Sequence, residues 1–499
     1  IRRDVKAVAD MMDDYPDLTF TMSQVSIYET AKKTDPDIFR RIQQRVREGR
    51  WECAAGTWVE GDLNMADGES VARHMLYAAD WTRKHLGVKA KVLWEPDTFG
   101  HPGNMPQLAK LGEFDSYFHW RCNPDRYDGW PIWTWKGDDG TPITAFSESY
   151  GSDLAPGVLT WRAIRHLRDG RRNAFHIWGL GDHGGALSRW QIDNLKRFLN
   201  KPVMPTVRFS TIKRLLEAVR QEAPRLRSAK GQTYSLFEGC FTTHASIKRC
   251  NRQCEGALLA AETLSALAGL DRNDALRAAW KPVLFSHFHD IFDGAAVHNT
   301  YLDAHRRADS SLSKAGRVTR EALASLVKVA RAGSFLTVVN PLGFERTEPV
   351  RAALPAGTVG LSDSNGRAVP VQRMDRDFIF LAEKIPAFSQ KTYRILTRAP
   401  KSADLRPVAV SEEGDYFKVE TDRATSKLHK QSGCIGSYVD KALKRELVAY
   451  GVPIPLTHVP STHAELALNV FQVIDEAHNG MTAWLINDIL KQENLLRGA

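Results

Sequence analysis

No apolar run in this chain approaches the roughly 18 residues needed to cross a bilayer, so a membrane-spanning helix is not expected. No GxGxxG and no phosphate loop occurs either, which removes the usual signatures of nucleotide binding. Cysteine is sparse: six residues (Cys53, Cys122, Cys240, Cys250, Cys254 and Cys434) are spread over 499 positions without a CxxC pair. Cys250 and Cys254 stand one helical turn apart in "KRCNRQCEG", a spacing that suits neither a zinc knuckle nor a redox pair. All six read as free thiols, and on that ground a reducing, cytoplasmic setting is expected. Repeats and low-complexity tracts are missing. The formal charge of +9 raises nucleic acid as a partner, but the basic residues are scattered. Arg40, Arg41, Arg45 and Arg47 share their segment with acids, and no basic stripe alternates with aromatics, so nucleic-acid binding is not expected.

What is present is the composition of a soluble globular protein, 43% hydrophobic and 25% charged. A chain of 499 residues exceeds one ordinary core and implies two to four domains. Residues 1–205 alternate strand and helix patterns: "LTFTMS" as a strand, "DPDIFRRIQQRVREGR" as a helix with Pro36 in its first turn, then "WECAAGTWVEGD" as strand and loop. A helix closed by Gly87 follows, then "KAKVLW" as strand, "NMPQLAKLG" as helix, "SYFHWR" as strand and "AFHIWGLGDHGG" as strand and loop. This is the signature of βα units around a parallel sheet or barrel. Residues 206–330 turn Ala- and Leu-rich and predict a small helical bundle, and residues 331–499 alternate with period two between Pro and Gly, as β-sandwiches do. The expected class is thus α/β: a (β/α) barrel-like catalytic domain, a helical bundle and a β-sandwich region that looks cut off.

Four segments end on polar residues that a purely structural design does not need. Asp97 follows "KVLW", Asp62 follows "GTWVEG", and Asp182 and His183 follow "FHIWGLG". "FSHFHDIFDG" sets His287, His289, Asp290 and Asp293 in an apolar stretch. Any one of them alone is more often a cap or turn residue. Together, carboxylates on separate strand-end loops with a His-rich segment suit glycoside cleavage or a metal-assisted hydrolase. Trp58 and Trp94 suit sugar stacking, although core packing is the commoner role of tryptophan.

"WEPDTFGHPGNMPQL", "ESVARHMLYA", "GLGDHGG", "EGCFTTHASIKRCNR" and "LFSHFHDIFDGAAVHNTYLDA" occur in this order and together resemble glycoside hydrolase family 38, the zinc-dependent retaining α-mannosidases. "VVNPLGFER" and "DEAHNGMTAW" look like pieces of that family's downstream β domains. The resemblance implies that Asp97 is the nucleophile and a zinc ligand, that His289 is a second zinc ligand, and that Arg121 contacts nucleophile and sugar. It implies Asp182 as the general acid/base, although "GLGDHGGALS" departs from the family pattern there and leaves a one-residue shift to His183 open. Asp290 is implied to orient His289, and Asp62 is either a turn carboxylate or a substrate contact. The expected substrate is a mannose-containing oligosaccharide, and the expected cofactor is Zn2+. The family's His-x-Asp-x-x-Trp zinc motif does not precede "RRDVKAVADMM", which implies an internal piece that is inactive taken alone. Two other readings stay open: a zinc-dependent carbohydrate deacetylase, and a catalytically silent sugar-binding relative.

Overall fold

The computed structural model describes residues 2–124, 130–151, 154–168, 171–179, 187–198, 201–202, 206–220, 226–233, 236–327, 334–398, 408–448, 472–477, 484 and 489–494. They form two compact units, residues 1–261 with 272–318, and residues 262–271 with 319–499.

The first unit opens with α1 (Arg2–Asp14), β1 (Phe20–Met22), α2 (Val25–Thr34), α3 (Pro36–Arg47) and β2 (Trp51–Cys53). The start of α3 follows from two adjacent residues: Asp35 accepts the Ile38 amide at 3.1 Å, and Pro36, which lacks an N–H, occupies a position where none is needed. Next come α4 (Gly68–Leu86), β3 (Val92–Trp94), α5 (Met105–Leu111), β4 (Ser116–His119), β5 (Ile132–Lys136), β6 (Pro142–Ser147) and β7 (Tyr150–Gly151). Asp67 caps the start of α4, and Gly87 ends it in the left-handed region at φ 72°, where a Cβ would be strained. Then follow α6 (Pro156–Arg168), β8 (Ile177–Trp178), α7 (Arg189–Phe198), α8 (Ile212–Val219) and β9 (Ser228–Lys230). The helices α9 (Ala245–Leu267), α10 (Asn273–Ser286), α11 (His289–Phe292) and α12 (His298–Leu326) follow.

β1 pairs parallel with β2, β3 with β4, β4 with β6, and β7 with β8, as alternating βα units require. β5 breaks the pattern by pairing antiparallel with β6. The segment "KGDDGTP" makes a tight turn closed by Gly140 N–H to Gly137 O at 2.8 Å, and a two-strand hairpin is antiparallel by construction. Among the described residues of the first unit the ladders fall into three groups: β1–β2, β3–β4–β6–β5–β9, and β7–β8.

Helix α8 shows how sequence period becomes packing. Its buried residues Ile212, Leu215, Leu216 and Val219 repeat at i, i+3, i+4 and i+7. They share a core with Val92, Phe118, Ile132 and Phe146 from the sheet. Glu52, leaving β2, accepts the amides of Ile212 and Lys213 at 2.8 Å each, placing its negative charge at the helix start.

The second unit's strands are antiparallel throughout the described residues. They form a four-stranded sheet, a three-stranded sheet, a five-stranded sheet built from residues 409–446 and a hairpin of Gln472–Glu476 with Ile489–Asn494. Leu361, Phe380, Ala382, Ile385 and Tyr393 are its buried centre.

Candidate active site

β3 and β4 end side by side because their parallel ladder continues past the strands. Glu95 N–H donates to Phe118 O at 2.9 Å, and the amides of Trp120 and Arg121 both donate to Pro96 O at 3.1 Å. This lacing brings Arg121 to Asp97 although 24 residues separate them. Arg121 Nε donates to Asp97 Oδ1 at 3.0 Å, and Tyr150 Oη lies 2.8 and 2.7 Å from the two carboxylate oxygens. The Asp97 and Arg121 side chains remain 18% and 20% exposed, so this ion pair is sheltered yet open to a ligand. The guanidinium carbon lies 4.5 Å from the Trp120 ring centre and 5.5 Å from that of Phe99, which fixes its plane.

Behind the pair, His119 holds the Arg121 backbone. Its Nδ1 lies 2.9 Å from Arg121 O, and its Nε2 accepts Trp133 Nε1–H at 3.3 Å. Nδ1 therefore carries the proton. Burial pushes His119 down to about 4, so the ring stays neutral in this role.

His289 reaches the same place from far along the chain. Residues 60–62 run against the link between α10 and α11, with an antiparallel bridge between Gly61 and Phe288 and Asp62 N–H donating to His287 O at 3.0 Å. Glu60 O accepts the His289 amide at 3.2 Å and lies 2.9 Å from its Nδ1. The ring proton is thereby assigned to Nδ1, and Nε2 is left with the lone pair. Glu60 itself is buried, and its carboxyl is pushed up to about 7 by burial, with the Asp97 charge adding to the rise and His289 opposing it. The Phe99 ring, which faces the Arg121 guanidinium, also lies 6.2 Å from the His289 ring, and this puts His289 in the neighbourhood of the Asp97–Arg121 pair. Glu95, fully buried, is raised well above the carboxylate range by burial and then by Glu60.

The other residues singled out in the sequence are placed as follows. Asp62 is buried and shapes a turn: its Oδ1 accepts the amides of Asn64 and Met65 at 3.0 and 2.6 Å. Asp290 is exposed at the start of α11, and the ring of His289 takes its partner from Glu60, not from Asp290. Asp182 and His183 lie outside the described residues. Trp58 is a core residue, 3% exposed, and Trp94 stacks on Phe118 at 3.9 Å. All six cysteines are free. Tyr150 and Glu60 escaped the sequence reading. Tyr150 is 53 residues from Asp97 in an unremarked "ESYGS", and Glu60 was overshadowed by Asp62 two positions on.

A carboxylate and an imidazole are donors of the kind zinc takes, and the Glu60 carbonyl orients the imidazole as such ligands are commonly oriented. Among the described residues, however, no group of three His, Cys, Asp or Glu side chains could hold a metal. Among the described residues the donor set is therefore right in kind and short in number.

The α/β unit with its sheltered aspartate–arginine pair at parallel strand ends, followed by helices, is shared with known enzymes: the chain belongs to glycoside hydrolase family 38. The family model "Glycosyl hydrolases family 38 N-terminal domain" matches residues 1–239, and "Alpha mannosidase middle domain" matches residues 235–326. Similar relatives are α-mannosidase 2C1 of Homo sapiens, 28% identical over 70% of this chain and 35% of that protein, and α-mannosidase G of Dictyostelium discoideum, 29% identical over 58% of this chain and 28% of that protein. The chain thus spans about a third of the length of these relatives. An α-mannosidase from Enterococcus faecalis V583 shares the fold with a TM-score of 0.71 at 17% identity, over 89% of this chain and 58% of that one. Among the described residues no helix is long and apolar enough to cross a membrane.

Proposed function

We propose that the chain carries the catalytic centre of a retaining α-mannosidase acting on terminal α-linked mannose of oligosaccharides, with Asp97 as nucleophile. The observation that carries this reading is the Asp97 carboxylate, held in one orientation by Arg121 and Tyr150 yet still open to a ligand. A nucleophile must be aimed, and two donors on one carboxylate hold it in one orientation. Asp182 is assigned as the general acid/base; retention by double displacement requires its carboxyl at roughly 5–5.5 Å from Asp97. The three strand groups are read as arcs of one barrel-like frame that opens on Asp97.

In the first step Asp97 attacks the anomeric carbon while Asp182 protonates the departing oxygen, and water releases the sugar in the second. Arg121 keeps the nucleophile oriented and meets the sugar, with Trp120 and Tyr150 walling its position. Asp62 acts at a distance by shaping the loop that presents Glu60 to His289. Asp97 and His289 are the residues that would hold zinc, which when bound would supply a grip on the cis 2- and 3-hydroxyls of mannose. The deacetylase reading draws support from neither the family match nor the relatives.

A fluorinated mannoside that stalls the second step, used on the full-length protein, tests the assignment. A glycosyl adduct is expected on the Asp97 peptide, and acetate release from an acetylated sugar without any adduct would overturn it. Asp182→Asn should slow poor leaving groups most and activated aryl mannosides least; an equal loss on both would move the acid to another residue. For the ion, equilibrium dialysis against zinc should show weaker uptake by His289→Ala than by the unmutated chain. Equal uptake would remove His289 from the ligand set.

A further inference from the structure

A second cluster lies between α9, α10 and α12. It is a small cavity lined by Cys250, Asn251, Cys254, Ser286 and Phe292 among others. It admits a water-sized molecule and excludes a sugar. Cys250 is partly exposed, and its sulfur lies 3.5 Å from His305 Nδ1. The other nitrogen, Nε2, lies 3.4 Å from Ser246 Oγ, so a thiol–imidazole–hydroxyl chain runs between α9 and α12. Asn251, only 7% exposed, has its Oδ1 fixed by His287 Nε2 at 2.6 Å. Its Nδ2 is buried without a hydrogen-bond partner. An orphaned amide donor costs about 1–3 kcal/mol unless an acceptor meets it, and here it belongs to a side chain lining the same cavity as the thiol.

We propose that Cys250 is an oxidisable thiol, a modification site at which a small hydroperoxide converts the thiol to sulfenic acid. The thiol proton passes to His305 Nδ1, and the thiolate sulfur attacks one oxygen of hydrogen peroxide. The S–O bond forms as the O–O bond breaks; sulfur gives up two electrons, and the departing hydroxide takes the proton from His305 and leaves as water. The transferred oxygen becomes the acceptor that Asn251 Nδ2 lacks. Cys254 takes no part. Its sulfur faces Ala308 O at 3.6 Å, and burial pushes its thiol up to about 12. Residues four apart on a helix hold their Cβ atoms about 5–6 Å apart, too far for the roughly 3.5–4.5 Å of a disulfide.

Treating the full chain with hydrogen peroxide and a dimedone trap, followed by peptide mapping, tests this. Cys250 should be labelled roughly tenfold faster than Cys434, the other partly exposed thiol, with no Cys250–Cys254 disulfide. His305→Asn should lower the Cys250 rate about tenfold while helix content by circular dichroism stays unchanged. Labelling of Cys434 at an equal or greater rate overturns the proposal, as does a Cys250 rate that a folded His305→Asn chain leaves unchanged. The first comparison is made within one unmutated chain, so it decides the matter even if the variant fails to fold.

Discussion

Asp97 receives two donors that differ in kind, and the difference sets what each substitution should do. Tyr150 offers one hydroxyl within reach of both carboxylate oxygens, whereas Arg121 offers a charge whose plane is fixed by Trp120. Tyr150→Phe removes the hydroxyl and keeps the ring that meets Trp120 edge-on at 4.9 Å. A bond to a charged acceptor is worth about 1.5–3 kcal/mol, so kcat/KM on an aryl α-mannoside should fall roughly 10- to 100-fold. Arg121→Lys keeps the charge but loses the Nε bond and the stacked plane, and should cost at least about as much. A Tyr150→Phe variant within threefold of the parent would show that Arg121 alone orients the carboxylate.

At the scale of elements, the strand ends were legible in the sequence and their encounters were not. Pro36 and Gly87 announce helix ends through local chemistry, and the structure places them where that chemistry requires. Asp97 and Arg121 could likewise be set at the ends of successive strands. The β5–β6 hairpin has its turn in "KGDDGTP", but the βα rhythm around that turn points to parallel pairing throughout and hides it. The join of His289 to Glu60 spans 229 positions and runs through a backbone carbonyl, which every residue possesses and no motif can mark. That join rests on Gly61. A Cβ there would stand 3.2 Å from His287 O and 3.3 Å from His287 Cβ, tighter than ordinary contact allows. Gly61→Ala should therefore push the α10–α11 link outward and move His289 off its bond to Glu60. A drop in activity larger than the drop in unfolding temperature is expected. Full activity with lowered stability would mean that the link gives way elsewhere.

At the scale of the whole molecule, the buried ionisable groups of the first unit pull stability in opposite directions over one pH range. Burial pushes His119 down to about 4, and His74 and His166 down to about 3, so between these values and 6.5 the unfolded chain binds protons that the folded chain refuses. Each such histidine makes stability rise with pH, and what it contributes is lost as pH falls from 6.5 toward its folded value. Glu60 is pushed up to about 7, and Glu95 and Asp293 stand well above the carboxylate range, so between about 4.5 and 7 the folded chain holds protons that the unfolded chain has released. Their stabilisation is present at low pH and is lost as pH rises through the folded values. One unmatched proton changes stability by about 1.4 kcal/mol per pH unit, so two sets of similar size leave a shallow net slope between pH 5 and 6.5. Single substitutions should uncover the hidden terms. His119→Gln removes a rising contribution, and its unfolding free energy in urea should climb less from pH 5 to 6.5 than that of the parent. Glu95→Gln removes a falling one, and its stability should climb more over the same range. If both variants track the parent's slope, the two side chains titrate alike in the folded and unfolded chain, and the opposition of charges beneath the site is not there.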